Sequence, residues 1–145
     1  METQAEKNKL LVKKAYEEIW IKRDIDQLAS LISEDISYQM PGRIIQGKEN
    51  YLEAIRNYWN TFEEAQMTIE HQMATEDKVY TRFTFRGKQT GPFGDVPATR
   101  KIIRFEGMDL IQIIDGRIIK EWEIIDELGL MQQLGLELVH KEHAH

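Results

Sequence analysis

An aspartate stands where a strand-like pattern gives way to a mostly apolar helical turn in EWEIIDELGLMQQLG, residues 121–135. Alternation over Ile118, Lys120, Trp122, Ile124 and Asp126 predicts one strand face, with Asp126 at the strand's end on the tryptophan's side. A carboxylate there is either the N-cap of the following helix or a working acid/base. The two roles are compatible, because strand ends and helix starts often meet at the mouth of a pocket.

Two further ionisable residues lie on strand patterns. Arg82 in VYTRFTFRG shares a face with Tyr80 and Thr84, while Val79, Thr81, Phe83 and Phe85 take the other. The phenylalanine face reads as core, which leaves Arg82 pointing outward into solvent. His71 in TIEHQM shares parity with Ile69 and Met73, and a lone histidine on an apolar strand face is more often a hydrogen-bonded core residue than a base. Trp59 and Trp122 read first as packing residues, although aromatic rings also wall pockets. Three of the four histidines (His140, His143 and His145) fall in a polar tail, where composition alone does not fix ligand geometry, so no metal site is predicted. A phosphate-cradling loop and a G-x-S-x-G elbow are both missing from the sequence, which removes the common nucleotide and serine-hydrolase routes.

These residues must be positioned by something, and the chain is long enough to build it. Its 145 residues fit a single domain with a core about 7–136 and a polar tail 137–145. The balance of 41% apolar to 30% charged residues is that of a soluble globular chain. With no cysteine there is neither a disulfide frame nor a thiolate nucleophile. A net charge of −6 without a basic run argues against nucleic acid, and no apolar run reaches the ~20 residues of a membrane span. The polar opening METQAEKNKL does not read as a secretory signal, so a cytoplasmic location is expected.

The helical patterns come first. AEKNKLLVKKAYEEIWIK (residues 5–22) puts Leu11, Ala15 and Ile19 beside Val12, Tyr16 and Trp20 in a wide apolar stripe. DIDQLASLI follows with Asp24 as N-cap and Leu28, Leu31 and Ile32 as its buried face. A short extended piece stops at Pro41-Gly42, and Gly47 leads into the helix KENYLEAIRNYWNTF. Four strand-like runs then follow, with Asp115-Gly116 a strong hairpin signal and Gly107 suggesting a bulge or bend. Helices followed by an antiparallel meander predict an α+β fold: a curved sheet wrapped around helices, leaving an apolar cavity. The convex face, assigned by parity to Ile119, Glu121, Glu123 and Ile125, is expected to be covered by a second copy of the chain.

With these elements in order, the chain resembles the SnoaL-like polyketide cyclases (ester cyclases) of the nuclear-transport-factor-two-like superfamily. The resemblance runs from about Lys7 to Leu136 and is most specific in DGRIIKEWEIIDELGLMQQLG: Asp-Gly, a tryptophan, an aspartate four residues on, then Gly-Leu and Gln-Leu-Gly. MPG, GKENYLEAI, YTRFTFRGKQTGPFG and VPATRKI match weaker signposts in the same order. The resemblance implies an α+β cone, usually a homodimer, that acts without metal or cofactor. It also implies that Asp126 is the general acid/base of an intramolecular aldol closure, or of related lyase or isomerase chemistry, on an apolar carbonyl-bearing small molecule. Gln89 stands where many relatives carry histidine, and Arg100 where the common pattern has glycine. A glutamine can orient a substrate but cannot carry a proton near neutral pH. The expected site is therefore Asp126 with Gln89 and Arg82 orienting the ligand, His71 in contact with it, and Trp122, Tyr38, Trp59 and Phe85 as walls. The alternative is a non-catalytic ligand-binding dimer in which Asp126 only caps a helix.

Overall fold

The computed structural model describes residues 1–142, so His143 and His145 of the tail lie outside the described residues. Helix α1 (Gln4–Tyr16) opens on a capping box, in which Thr3 accepts from the Glu6 amide and Glu6 from the Thr3 amide. It runs on into a π-helical segment, Glu17–Lys22, which ends at Arg23 in the left-handed region (φ 50°). Asp24 caps α2 (Ile25–Ser30) by accepting from the Gln27 amide at 3.1 Å, as its position predicts. Ile32 leaves the expected helix and opens strand β1 (Ile32–Met40) instead, because it pairs with Ile118 at the bottom of the sheet and is fully buried there. Strand β2 (Arg43–Gln46), helix α3 (Lys48–Thr61), strands β3 (Phe62–Ala74), β4 (Lys78–Gln89), β5 (Ile102–Ile114) and β6 (Arg117–Ile125), and helix α4 (Glu127–Gln133) complete the order.

The six strands form one curved, open sheet in the order β2-β1-β6-β5-β4-β3. All pairs are antiparallel except β1–β6, so the sheet is mixed rather than wholly antiparallel as the meander suggested. The long path from β1 through β2, α3 and strands β3 to β5 allows β6 to return alongside β1 in the same direction. Asp115 and Gly116 both take positive φ (52° and 74°), which is the primed turn that matches the twist of a two-residue hairpin. Helices α1 and α3 lie in the concave side, and Val12, Ala15, Ile36, Tyr51, Ile55 and Ile111 share the resulting core.

Register shifts fall in β1, twice in β3, and in β6, and two of them decide which side chains near the site face inward. In β6, Lys120 pairs with Gln112 but Ile118 pairs with Ile113, so Ile119 has no partner on β5. Ile118 is buried on the concave side, yet after this bulge the concave positions become Glu121, Glu123 and Ile125. In β3 the same happens at Glu70, between the pairs Ile69–Phe83 and His71–Arg82. The parity expected for Glu121, Glu123 and Ile125 is thus reversed: they line the inside, and the outer face carries Lys120, Trp122 and Ile124. Gly107 produces no register shift. A Cβ there would meet the Phe83 ring at 2.5 Å, so the glycine makes room for that ring.

Candidate active site

Between the helices and the concave sheet lies a cavity of about 150 Å³. Its walls are aromatic: Trp20 meets Phe85 edge-on at 4.9 Å, Phe85 stacks on Phe105 at 4.9 Å, and Tyr38 meets Tyr51 edge-on at 5.7 Å. Two carboxyls, Glu121 and Glu123, line it, and a third, Asp109, is buried against them. Asp109 of β5 is the register partner of Glu123 on β6, and Glu121 sits two residues earlier on the same face. Oxygen atoms from all three lie within 4.8 Å of one another. Like-charged side chains directly opposite in a sheet are unfavourable, so this arrangement requires that some of the carboxyls hold protons.

The tyrosines supply the hydrogen bonds. Tyr16 Oη donates to Asp109 Oδ2, and Tyr38 Oη donates to Glu123 Oε1 at 2.6 Å. The Tyr58 hydroxyl lies 3.4 Å from that of Tyr38. Asp109 Oδ1 is buried with no partner among the described residues. Burial is the largest influence on every carboxyl of the group. It raises Asp109 well above the ordinary range, with the Glu123 charge adding to it and the Tyr16 hydrogen bond opposing it. Burial also raises Glu121 strongly, reinforced by the charges of Glu123 and Asp109. Glu123 is raised too, but the hydrogen bonds from Tyr38 and Glu121 pull against burial, and it borders open cavity space. Glu123 is therefore the group best placed to be a carboxylate while its two neighbours stay protonated. The phenols remain donors: burial pushes Tyr16, Tyr38 and Tyr51 well above their usual range and Tyr58 up to about 12.

The residues named from sequence separate into inner and outer groups. Tyr38 and Phe85 line the cavity. Asp126 is exposed and caps α4, its Oδ1 accepting from the Gly129 amide at 3.0 Å. It borders a separate hollow of about 510 Å³ on the outer sheet face, shared with Arg82, Tyr80, Met108, Trp122 and Ile124. Trp122 lies there with Lys120 Nζ 5.4 Å from its ring centroid. His71 is exposed and meets Tyr80 edge-on, since the bulge at Glu70 turns it away from the core side expected for it. Trp59 does not line the cavity; its Nε1 donates to the Ile19 carbonyl at 2.6 Å and ties α3 to the π-helical segment. Gln89 is fully buried but its amide is committed to the loop after β4. It donates to the carbonyls of Gly91 and Pro97 and accepts from Thr99 N and Oγ1.

Sequence reasoning missed Asp109, Glu121, Glu123 and Tyr16 as site residues. The signal was the presence of acids inside apolar strand runs, MDLIQII and KEWEII, where a solvated face needs no such spacing. Unbroken alternation sent Glu121 and Glu123 to the outer face, and only the bulge returns them.

An open six-stranded cone enclosing a small carboxyl-lined cavity defines the class of protein. The SnoaL-like polyketide cyclase model matches residues 10–134, and the chain belongs to that family. A candidate SnoaL-like polyketide cyclase from Jannaschia sp. CCS1 superposes with a TM-score of 0.86 at 18% identity, covering 95% of this chain and 98% of that one. IdmH, a candidate polyketide cyclase from Streptomyces antibioticus, gives 0.75 at 25% identity over 87% and 96% of the two chains. AclR, a candidate hydroxylase from Streptomyces galilaeus, gives 0.79 at 21% identity over 89% and 96%. No curated protein matches the sequence. No helix among the described residues is long and apolar enough to cross a membrane.

Proposed function

We propose that the protein catalyses carbon-acid chemistry on an apolar carbonyl compound, an intramolecular aldol closure or a related lyase or isomerase step, with Glu123 as the general base. The supporting observation is the buried trio itself: one carboxyl eased toward ionisation by two donated hydrogen bonds, beside two held protonated. Glu123 takes a proton from a carbon flanked by carbonyl groups. Once Glu123 holds the substrate's proton, the acid proton of Glu121 is free to turn to the developing enolate oxygen, a hydrogen bond that strengthens as charge builds in a site of low polarity, while Asp109 stays protonated behind it. The enolate carbon then attacks the second carbonyl of the same molecule, and the new alkoxide takes up a proton from the same group. The acid/base role that the family pattern gives to Asp126 passes in this scheme to Glu123, and Asp126 keeps its role as helix cap.

Solvent deuterium exchange into a panel of aryl ketones and β-keto esters, followed by proton NMR, tests this. Wild-type protein accelerates exchange for at least one member, Glu123→Gln abolishes the acceleration, and Asp126→Asn retains it. The reverse pattern returns the base to Asp126. Saturable binding without exchange supports the non-catalytic alternative. We propose also that the outer face forms a twofold dimer, because Met73, Met108 and Ile124 are 60%, 48% and 65% exposed there beside Trp122. Sedimentation equilibrium at micromolar concentration yielding only a 17.1 kDa species rejects the dimer.

A further inference from the structure

Resting on that scheme, we infer that the carbonyl compound is of single-ring size and, though otherwise apolar, carries one negative group held by Arg43 at the cavity edge while its carbonyl reaches Glu121 and Glu123. Two observations carry this. The first is volume: about 150 Å³ is the size of a cavity that takes up one benzene ring, well below the several hundred that enclose larger ligands. The limits are set by rings packed on rings, with Trp20 stacked at 6.2 Å on Tyr58 and meeting Phe85 edge-on at 4.9 Å. Fused three-ring substrates do not fit without displacing that cluster.

The second observation is charge. Three carboxyls, Glu121, Glu123 and Glu127, line the cavity, and Arg43 is the one cation that does so among the described residues. It makes no ion pair or hydrogen bond among the described residues, in a chain with 25 acidic residues against 19 basic ones. The fold places it there deliberately: Pro41 and Gly42 (φ 75°) turn the chain so that Arg43 pairs with Met40, and both border the cavity. Its charge acts on the Tyr58 hydroxyl, favouring ionisation against the stronger effect of burial. From Tyr58 the contacts run to Tyr38 and then to Glu123, at 3.4 and 2.6 Å. Arg43 and Glu123 thus border one cavity, linked through the Tyr58 and Tyr38 hydroxyls, so that a single ligand can meet a base and a guanidinium at once. A guanidinium binds a carboxylate through paired N–H donors, which a neutral amide does not reproduce.

Titration calorimetry with three probes tests the inference: 4-acetylbenzoate, its neutral analogue 4-acetylbenzamide, and the three-ring anthraquinone-2-carboxylate. Wild-type protein binds 4-acetylbenzoate about tenfold or more tightly than the amide, the loss expected for one charge-assisted contact, and does not bind the three-ring acid. Arg43→Gln brings the acid down to the affinity of the amide and leaves the amide unchanged; the residue is exposed, so the fold is unaffected. Equal affinity for acid and amide, no effect of Arg43→Gln, equal binding of the three-ring acid, or no saturable binding of 4-acetylbenzoate each overturns it. Glu123→Gln separates the two levels: it leaves carboxylate binding intact while stopping deuterium exchange. If exchange persists in that variant, the base assignment fails while the Arg43 result stands or falls on its own titrations.

Discussion

Replacing Tyr38 by phenylalanine removes one atom and isolates the hydrogen bond that sets Glu123 apart from its neighbours. The Tyr38 hydroxyl donates to Glu123 Oε1 at 2.6 Å and so favours the carboxylate form. A hydrogen bond to a charged acceptor contributes about 1.5–3 kcal/mol, so its loss makes the carboxylate form of Glu123 less favourable by that order and the variant should titrate Glu123 at higher pH than wild type. Carbon-detected NMR of protein labelled at the glutamate side-chain carboxyl reads this directly without any substrate. Glu121 and Glu123 titrate as a linked pair, so the quantity to compare is the pair's apparent steps in the two proteins. The stability consequence has a definite sign. A carboxyl raised in the folded state binds its proton more tightly there than in the unfolded chain, so its contribution is fully present below the unfolded value and is lost as pH rises through the folded one. Tyr38→Phe therefore destabilises more on the alkaline side of that window than at pH 5. An unchanged titration in the variant, or destabilisation uniform across pH, refutes the claim that Tyr38 tunes Glu123.

Other expectations follow from neighbouring contacts. Asp109→Asn removes a buried acid whose folded-state protonation is favoured; thermal melts from pH 5 to 8 should show wild-type stability falling as pH rises and the variant losing much of that slope. Asp126→Ala deletes the α4 cap and should cost about 0.5–2 kcal/mol in urea denaturation, while Asp126→Asn, which still caps, should stay near wild type. Gly107→Ala drives a methyl into the Phe83 ring and should cost about 1–3 kcal/mol, with Phe83→Leu in the same chain recovering part of it. Gln89→Ala should leave the cavity unaltered but speed hydrogen exchange of the Thr99 amide, which donates to the Gln89 side chain at 3.0 Å.

Much of the architecture was written locally. The apolar stripe of α1, the Asp24 cap and the Asp115-Gly116 turn each depend on residues close in sequence, and each forms where predicted. The helices-then-strands order was enough for the curved sheet. Register was not local. Whether Ile119 or Glu70 bulges is decided by what lies across the ladder, and a slip of one residue sends every later side chain to the opposite face. That is why His71 and the two glutamates were placed on the wrong sides. Gln89 illustrates a different limit. Its type and position suggested ligand contact, but its partners Pro97 and Thr99 are eight and ten residues away in a loop whose path no periodicity reveals.

The extra residue at Ile119 bears on how roles can be passed between relatives. Motif alignment tracks residue type and counts positions from tryptophan to aspartate, and that count is indifferent to where a strand swells. The inward set depends instead on an odd or even number of residues since the last irregularity. Two relatives with the same tryptophan and the same aspartate can therefore present different acids to their cavities if one lacks the swelling. Equivalence within such a family is a property of faces, and the ladder pairing around Gln112 and Ile113 is the place to establish it before any catalytic residue is transferred.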